Sequence, residues 1–236
     1  MQLFLNNLVN AEKNRPCLVM AHGPSLVSSL YFQEELFKLN PVLISCNYWY
    51  KFLPFDINYW IVANNELSVY EDHEIYSQFK NTKLLYAESV YSEDLRHKTP
   101  PLYIDYFRYD ERNYNFETQT PNINRLLSWY TNYSEFYRSS ATVALHMLAF
   151  AIILGCNPIY ISGMDLDHKK GYAFNARQKR ELNDTYLKEL DEFRNDIIKS
   201  LITINSSAKN IGTRIYSFDK QPTFDLFDHI SGLDLK

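Results

Sequence analysis

The sequence is short of glycine, with six in 236 residues, and holds three cysteines in no paired spacing. These shortages exclude several chemistries. There is no G-x-x-x-x-G-K-[ST] and no G-x-G-x-x-G, so neither a P-loop nor a dinucleotide fingerprint is present. Ser25 does not lie in a G-x-S-x-G, which removes a nucleophile elbow. No His/Cys set has zinc spacing. Cys17, Cys46 and Cys156 each sit beside an apolar run and read as buried free thiols in a reducing compartment. The most apolar run, "VALHMLAFAIILGC", is too short to span a bilayer and fits a buried helix. "MQLFLNNLVNAEKNRP" has no basic region followed by an apolar block, so no signal peptide is expected. With a net charge of −4, the chain has no global positive field, and no nucleic-acid partner is expected. A cytoplasmic protein is expected.

Aromatic residues are plentiful, with 19 Tyr and 15 Phe. Some of those phenols are expected to coat grooves, since a buried hydroxyl wants a partner. Short strand-like runs alternate with helical ones. Strands are expected at 17–21, 42–46, 59–63, 83–88, 102–107, 158–162 and 214–218. Helices are expected at 29–40, 66–79, 140–154 and 186–204. Such alternation predicts an α/β fold: a mostly parallel, Rossmann-like sheet flanked by helices. Residues 1–236 read as a single domain with a lid at about 164–184, and 108–136 reads as a polar, aromatic, irregular insertion.

In such sheets ligands sit outside the carboxyl ends of the strands. The residues that follow the expected strands are His22, Gly23, Pro24 and Ser25, then Asn47, then Asn64 and Asn65, then Gly163 and Asp165. The set is small, polar and rich in amides. An Asn side chain both donates and accepts, which suits a nucleobase or ribose, and Gly permits close backbone approach.

These residues also carry a resemblance. "HGPSL", "SCNYWY", "VANN", "LGCNPIYISGMDL" and "GYAFN", in that order, resemble the bacterial sialyltransferases of glycosyltransferase family forty-two. The same wording, above all "LGCNPIYISGMDL", is close to a broader domain family around hydroxymethylpterin diphosphokinase, which includes flagellin glycosyltransferases. The first resemblance implies a GT-A-variant nucleotide-binding sheet and transfer of an acidic sugar, sialic acid or a relative, from a CMP-sugar. Transfer would be inverting, metal-independent and directed to a bacterial surface glycan such as lipooligosaccharide. It implies donor contacts at Gly23, Ser25, Asn47, Asn64, Gly163, Met164 and Asp165. His22 stands where the family has Asn and, if protonated, would attract phosphate. Tyr172 matches a lid Tyr that hydrogen-bonds the leaving phosphate, and Asp167 takes the place of a second such Tyr. "YRSSAT" offers Arg138 for the acceptor and Ser140 or Thr142 for the donor carboxylate. The family's catalytic His has no counterpart in "RELNDTYLKELDEF".

Sugar transfer needs a base for the acceptor hydroxyl and donors for the leaving phosphate. His168 is the lid histidine available as base, with His22 as the alternative. Tyr172 with Lys169 or Lys170 would serve the phosphate. No metal and no cofactor is expected on this reading. The second resemblance implies otherwise, because "DLD" at 165–167 would then hold Mg between two phosphates of ATP. A Mg-dependent pterin diphosphokinase-like enzyme, or a glycosyltransferase with another nucleotide donor, is the alternative. A nucleotide-binding protein without catalysis is a third reading. The expected partners are a nucleotide-sugar and a glycan or glycolipid acceptor. Peripheral association with the inner face of the inner membrane, and a homo-oligomer, are left open.

Overall fold

The computed structural model describes residues 5–31, 33–51, 53, 55–62, 79, 81–87, 106–109, 142–166, 194, 197–198, 200–202, 204–218 and 226–230. Among these are eight strands: β1 (Cys17–Met20), β2 (Val42–Cys46), β3 (Tyr59–Val62), β4 (Lys83–Ala87), β5 (Tyr106–Tyr109), β6 (Ile159–Ser162), β7 (Ile215–Ser217) and β8 (Asp228–His229). They form one sheet in the order β5-β4-β3-β2-β1-β6-β7-β8. Every pairing is parallel, with Met20 opposite Ser45 on one side and Ser162 on the other. Parallel sheets need both faces covered. The central strands accordingly read as unbroken apolar runs, and β1, β3 and β6 are buried at every position.

Three helices are described in full: α1 (Leu26–Leu30), α2 (Gln33–Lys38) and α3 (Val143–Ile153). Helix α3 packs on β1, β2 and β3. It is apolar all round, which is the pattern of a helix enclosed on every side, and residues 144–153 are all buried. Thr142 caps its start by accepting from the Ala144 amide at 3.3 Å. Gly155, at φ 78°, closes its end, with Gly155 N donating to Ile152 O and Cys156 N to Ala151 O. The segment before β1 takes up carbonyls that remain: Asn10 N donates to Ile153 O, Glu12 N to Leu154 O and Asn14 N to Gly155 O. The end of α3 therefore lies at the amino edge of the sheet. Its start, Thr142, lies toward the carboxyl edge.

The parallel α/β architecture agrees with the alternation of the sequence, and the three cysteines are free and buried. The described elements differ from the expected ones at α1–α2 and at β8. The run 29–40 is two helices. α1 starts directly after the Ser25 turn, and the Ser29 hydroxyl bonds back to Leu26 O at 2.8 Å. Such back-bonding competes with the helical ladder, and α1 ends at Tyr31. Strand β5, at 106–109, overlaps the aromatic run expected at 102–107, of which 102–105 lie outside the described residues. β8 carries only two paired residues, too few for a periodic signal. The helix expected at 66–79 lies outside the described residues except for Phe79. Among the described residues no helix is long and apolar enough to cross a membrane.

Candidate nucleotide site at the β1–β6 crevice

The strand order places a reversal at β1. From β1 the sheet grows outward through β2, β3, β4 and β5; the chain then returns to β6 on the other side of β1 and continues to β7 and β8. At such a switch point the two flanking connections part in opposite directions and leave a crevice above the carboxyl ends. Here the crevice is bounded by the turn after β1, residues 21–25, and the turn after β6, residues 163–166.

The two turns interlock. Ala21 N donates to Ser162 O at 2.8 Å and Gly23 N to Gly163 O at 2.7 Å, so the pairing continues past both strands. Each glycine is required by this approach. A Cβ at Gly23 would lie 2.0 Å from Asp165 Oδ2, and one at Gly163 would lie 2.1 Å from Ala21 O. Gly163 also has φ 74°. Asp165 is buried and draws the turns together: its Oδ2 accepts from Ser25 N at 3.1 Å and from Ser25 Oγ at 2.7 Å. Ser25 stands at the N-cap of α1 but makes no side-chain cap bond. The carboxylate arriving from β6 meets the donors of this helix start instead, where negative charge is favoured. A buried layer of hydroxyls supports the turns. Ser29 Oγ and Ser162 Oγ are 2.6 Å apart, and Ser45 Oγ donates to Met20 O at 2.9 Å.

His22 follows β1 and faces the end of β2, with its Nε2 3.5 Å from Cys46 Sγ. Burial lowers its pKa to about 4, and a hydrogen bond to the Cys46 backbone opposes this only in part. The ring is therefore neutral at physiological pH. The condition attached to His22, attraction of phosphate if protonated, is therefore not met at that pH. Cys46 is a thiol, its pKa pushed up by burial. Asn47 adopts φ 45°; its N–H donates to Ile61 O at 2.9 Å and its carbonyl accepts from Trp60 Nε1 at 2.8 Å. These two bonds fix the backbone beside the crevice. Met164 is buried under it, and Leu166 leaves it at φ 48°.

The structure thus brings together His22, Gly23, Ser25, Gly163, Met164 and Asp165, with Asn47 at the end of the next strand. Thr142 lies at the same edge with its hydroxyl engaged as a helix cap. Asn64, Arg138, Ser140, Asp167, His168 and Tyr172 lie outside the described residues, as does the lid beyond Leu166. Among the described residues no group of three His, Cys, Asp or Glu side chains could hold a metal ion. Two relations were not readable from the sequence: the Ser25–Asp165 bond, between positions 140 apart, and the tie of His22 to Cys46. Each joins the ends of two neighbouring strands, so strand order would have been needed to see it.

A family model described as "6-hydroxymethylpterin diphosphokinase MptE-like" matches residues 2–171. The chain belongs to the MptE-like family. The match takes in β1 through β6 and both turns of the crevice. No curated protein matches the chain. Among solved structures, this MptE-like chain is similar to the sialyltransferase CST-II in complex with a trisaccharide acceptor and CMP. That match has 15% identity and a TM-score of 0.55, covering 92% of this chain and 87% of the other. It is also similar to CstII from Campylobacter jejuni in complex with the substrate analogue CMP-3FNeuAc. Here identity is 14% and the TM-score 0.54, with coverage of 93% and 87%. At these identities the likeness is one of fold, and it extends over nearly the whole chain.

Proposed function

We propose that the protein is a glycosyltransferase that moves an acidic sugar from a CMP-sugar to a glycan acceptor, with inversion and without a metal. The observation that carries this reading is the interlocked pair of turns at the switch point, on a fold shared with a sialyltransferase that binds CMP. Gly23, Ser25 and Asp165 shape the crevice in which the nucleotide lies, with Met164 beneath it. Asn47, and Asn64 after β3, supply amides to base and ribose. The acceptor hydroxyl attacks the anomeric carbon, its proton passes to a base, and CMP departs with the bonding electrons. His168 is the base on this reading. His22 is the second candidate. Tyr172 with Lys169 or Lys170 meets the phosphate as its charge grows. Ser140 or Thr142 serves the donor carboxylate and Arg138 the acceptor. Asp167 borders the lid, and residues 1–236 act as one domain. The lid is basic, and a glycolipid at a membrane surface is an acceptor it would suit.

The family's own description favours a second reading, Mg-dependent diphosphate transfer from ATP, with Asp165 and Asp167 on the metal. Incubation with CMP-sialic acid tests the two. CMP release that persists in a chelator is expected. AMP release from ATP and a hydroxymethylpterin, dependent on Mg, would replace the proposal by the second reading.

A further inference from the structure

The end of β2 meets the turn after β1 at one pair of side chains. The parallel register runs from Cys17 beside Val42 to Met20 beside Ser45. One step further it brings Ala21 level with Cys46. There the backbone of the turn goes with β6, Ala21 N donating to Ser162 O and Gly23 N to Gly163 O. The ring of His22 keeps the link to β2. Its Nε2 lies 3.5 Å from Cys46 Sγ, and the ring is hydrogen-bonded to the Cys46 backbone. That backbone bond acts to raise the His22 pKa, which marks the ring as its donor and the Cys46 carbonyl as its acceptor.

The chemistry of the pair allows one full match. Cys46 is 2% exposed, and burial keeps it a thiol. The ring is neutral, so it carries one N–H and one lone pair. The carbonyl can only accept, and it takes the N–H. The thiol has a proton to give, and the lone pair is its acceptor. Nε2 is the nitrogen beside Sγ, so the lone pair falls on Nε2 and the hydrogen on Nδ1. With the hydrogen on Nε2 instead, two donors would meet, N–H and S–H. The bond made at one ring nitrogen sets the state of the other. Nδ1–H is the tautomer that a histidine side chain in water disfavours, so a neighbour must impose it.

We propose that Cys46 is a positioning residue: its thiol and carbonyl hold His22 as the Nδ1–H tautomer and fix the ring at the wall of the nucleotide crevice. The ring then meets the nucleotide as a neutral, oriented surface. Its Nε2 lone pair is taken by the thiol, which leaves the acceptor's proton to His168. The role in nucleotide binding rests on the glycosyltransferase reading; the clamp on His22 does not. The test records long-range proton–nitrogen NMR spectra of the imidazoles at neutral pH for wild type, Cys46→Val and Cys46→Ser, with His22→Gln identifying the His22 signals. Wild type should show hydrogen on Nδ1 and none on Nε2, a result that needs no Cys46 variant to fold. Cys46→Val loses the S–H, and the Nε2 signal should move off its wild-type position. Cys46→Ser keeps a hydroxyl donor and should bring the signal back. CMP affinity should fall about 3- to 10-fold in Cys46→Val, the worth of one hydrogen bond, and recover in Cys46→Ser. Hydrogen on Nε2 in wild type, or an Nε2 signal unmoved in Cys46→Val, would overturn the clamp. A moved signal with unchanged CMP affinity would overturn the positioning role. Wild type that shows the clamp, loses it in Cys46→Val and binds no CMP would remove the CMP reading and uphold the clamp.

Discussion

The two edges of the sheet are built differently. At the amino edge polar groups are matched to partners close by in the fold. The last carbonyls of α3 receive the amides of Asn10, Glu12 and Asn14. Glu12 pairs with Arg15 and accepts from the Tyr59 hydroxyl at 2.9 Å, while Lys83 lies over the Tyr59 ring. The left-handed non-glycine residues there are Asn10, Asn14 and Asn40, a residue type that tolerates that conformation. At the carboxyl edge a carboxylate is buried, a histidine is kept neutral and Leu166 is held at φ 48°. A leucine finds that region unfavourable, and such strain gathers at functional sites. One edge is thus optimised for stability, and the other gives up stability to hold polar groups at a crevice.

The largest effect expected from this contrast is at Gly163. Gly163→Ala should destabilise by about 3 kcal/mol or more, since its Cβ would meet the Ala21 carbonyl at 2.1 Å in a left-handed residue. Gly212 has the same backbone sign, at φ 77°, with open space around it. Gly212→Ala should cost only about 1 kcal/mol. Urea melts of both variants check the pair, and equal losses would mean that the interlock of the turns contributes nothing.

The next effect is a pH dependence. His22 has a folded pKa of about 4 against an ordinary 6.5, so between these values the unfolded chain binds the extra proton. Stability should be full above about pH 6.5 and fall by on the order of 3 kcal/mol as pH drops toward 4. His22→Gln should remove that part of the slope. An unaltered slope would show that His22 is not held neutral by its surroundings.

The smallest is at the amino edge. Tyr59→Phe removes the bond to Glu12 and should cost about 1 kcal/mol in a thermal melt. Nucleotide binding should be untouched; a loss of binding there would dissolve the distinction between the edges.

Much of the carboxyl edge was legible because its chemistry is local. A strand such as "CLVM" followed by "HGPS", and "IYIS" followed by "GMD", places small and polar residues at strand ends whatever the sheet order. The continuous apolar run of 143–156 marked the enclosed helix in the same way. Roles that depend on tertiary neighbours were not legible. The charge of His22 could not be read from its position, because burial beside Cys46 sets it. The bond from Ser25 to Asp165 is seen only once the two turns are placed side by side.

The central claim, a CMP-sugar site at the β1–β6 crevice, is tested most directly by the thermal stabilisation of the protein with CMP, CDP, UDP, GDP and ATP, each with Mg and with a chelator. A nucleotide at a hundred times its dissociation constant adds about 2.7 kcal/mol, enough to read in such a melt. Stabilisation by CMP that is indifferent to the metal is the predicted result. Stabilisation by ATP with Mg alone, and none by CMP, would contradict it.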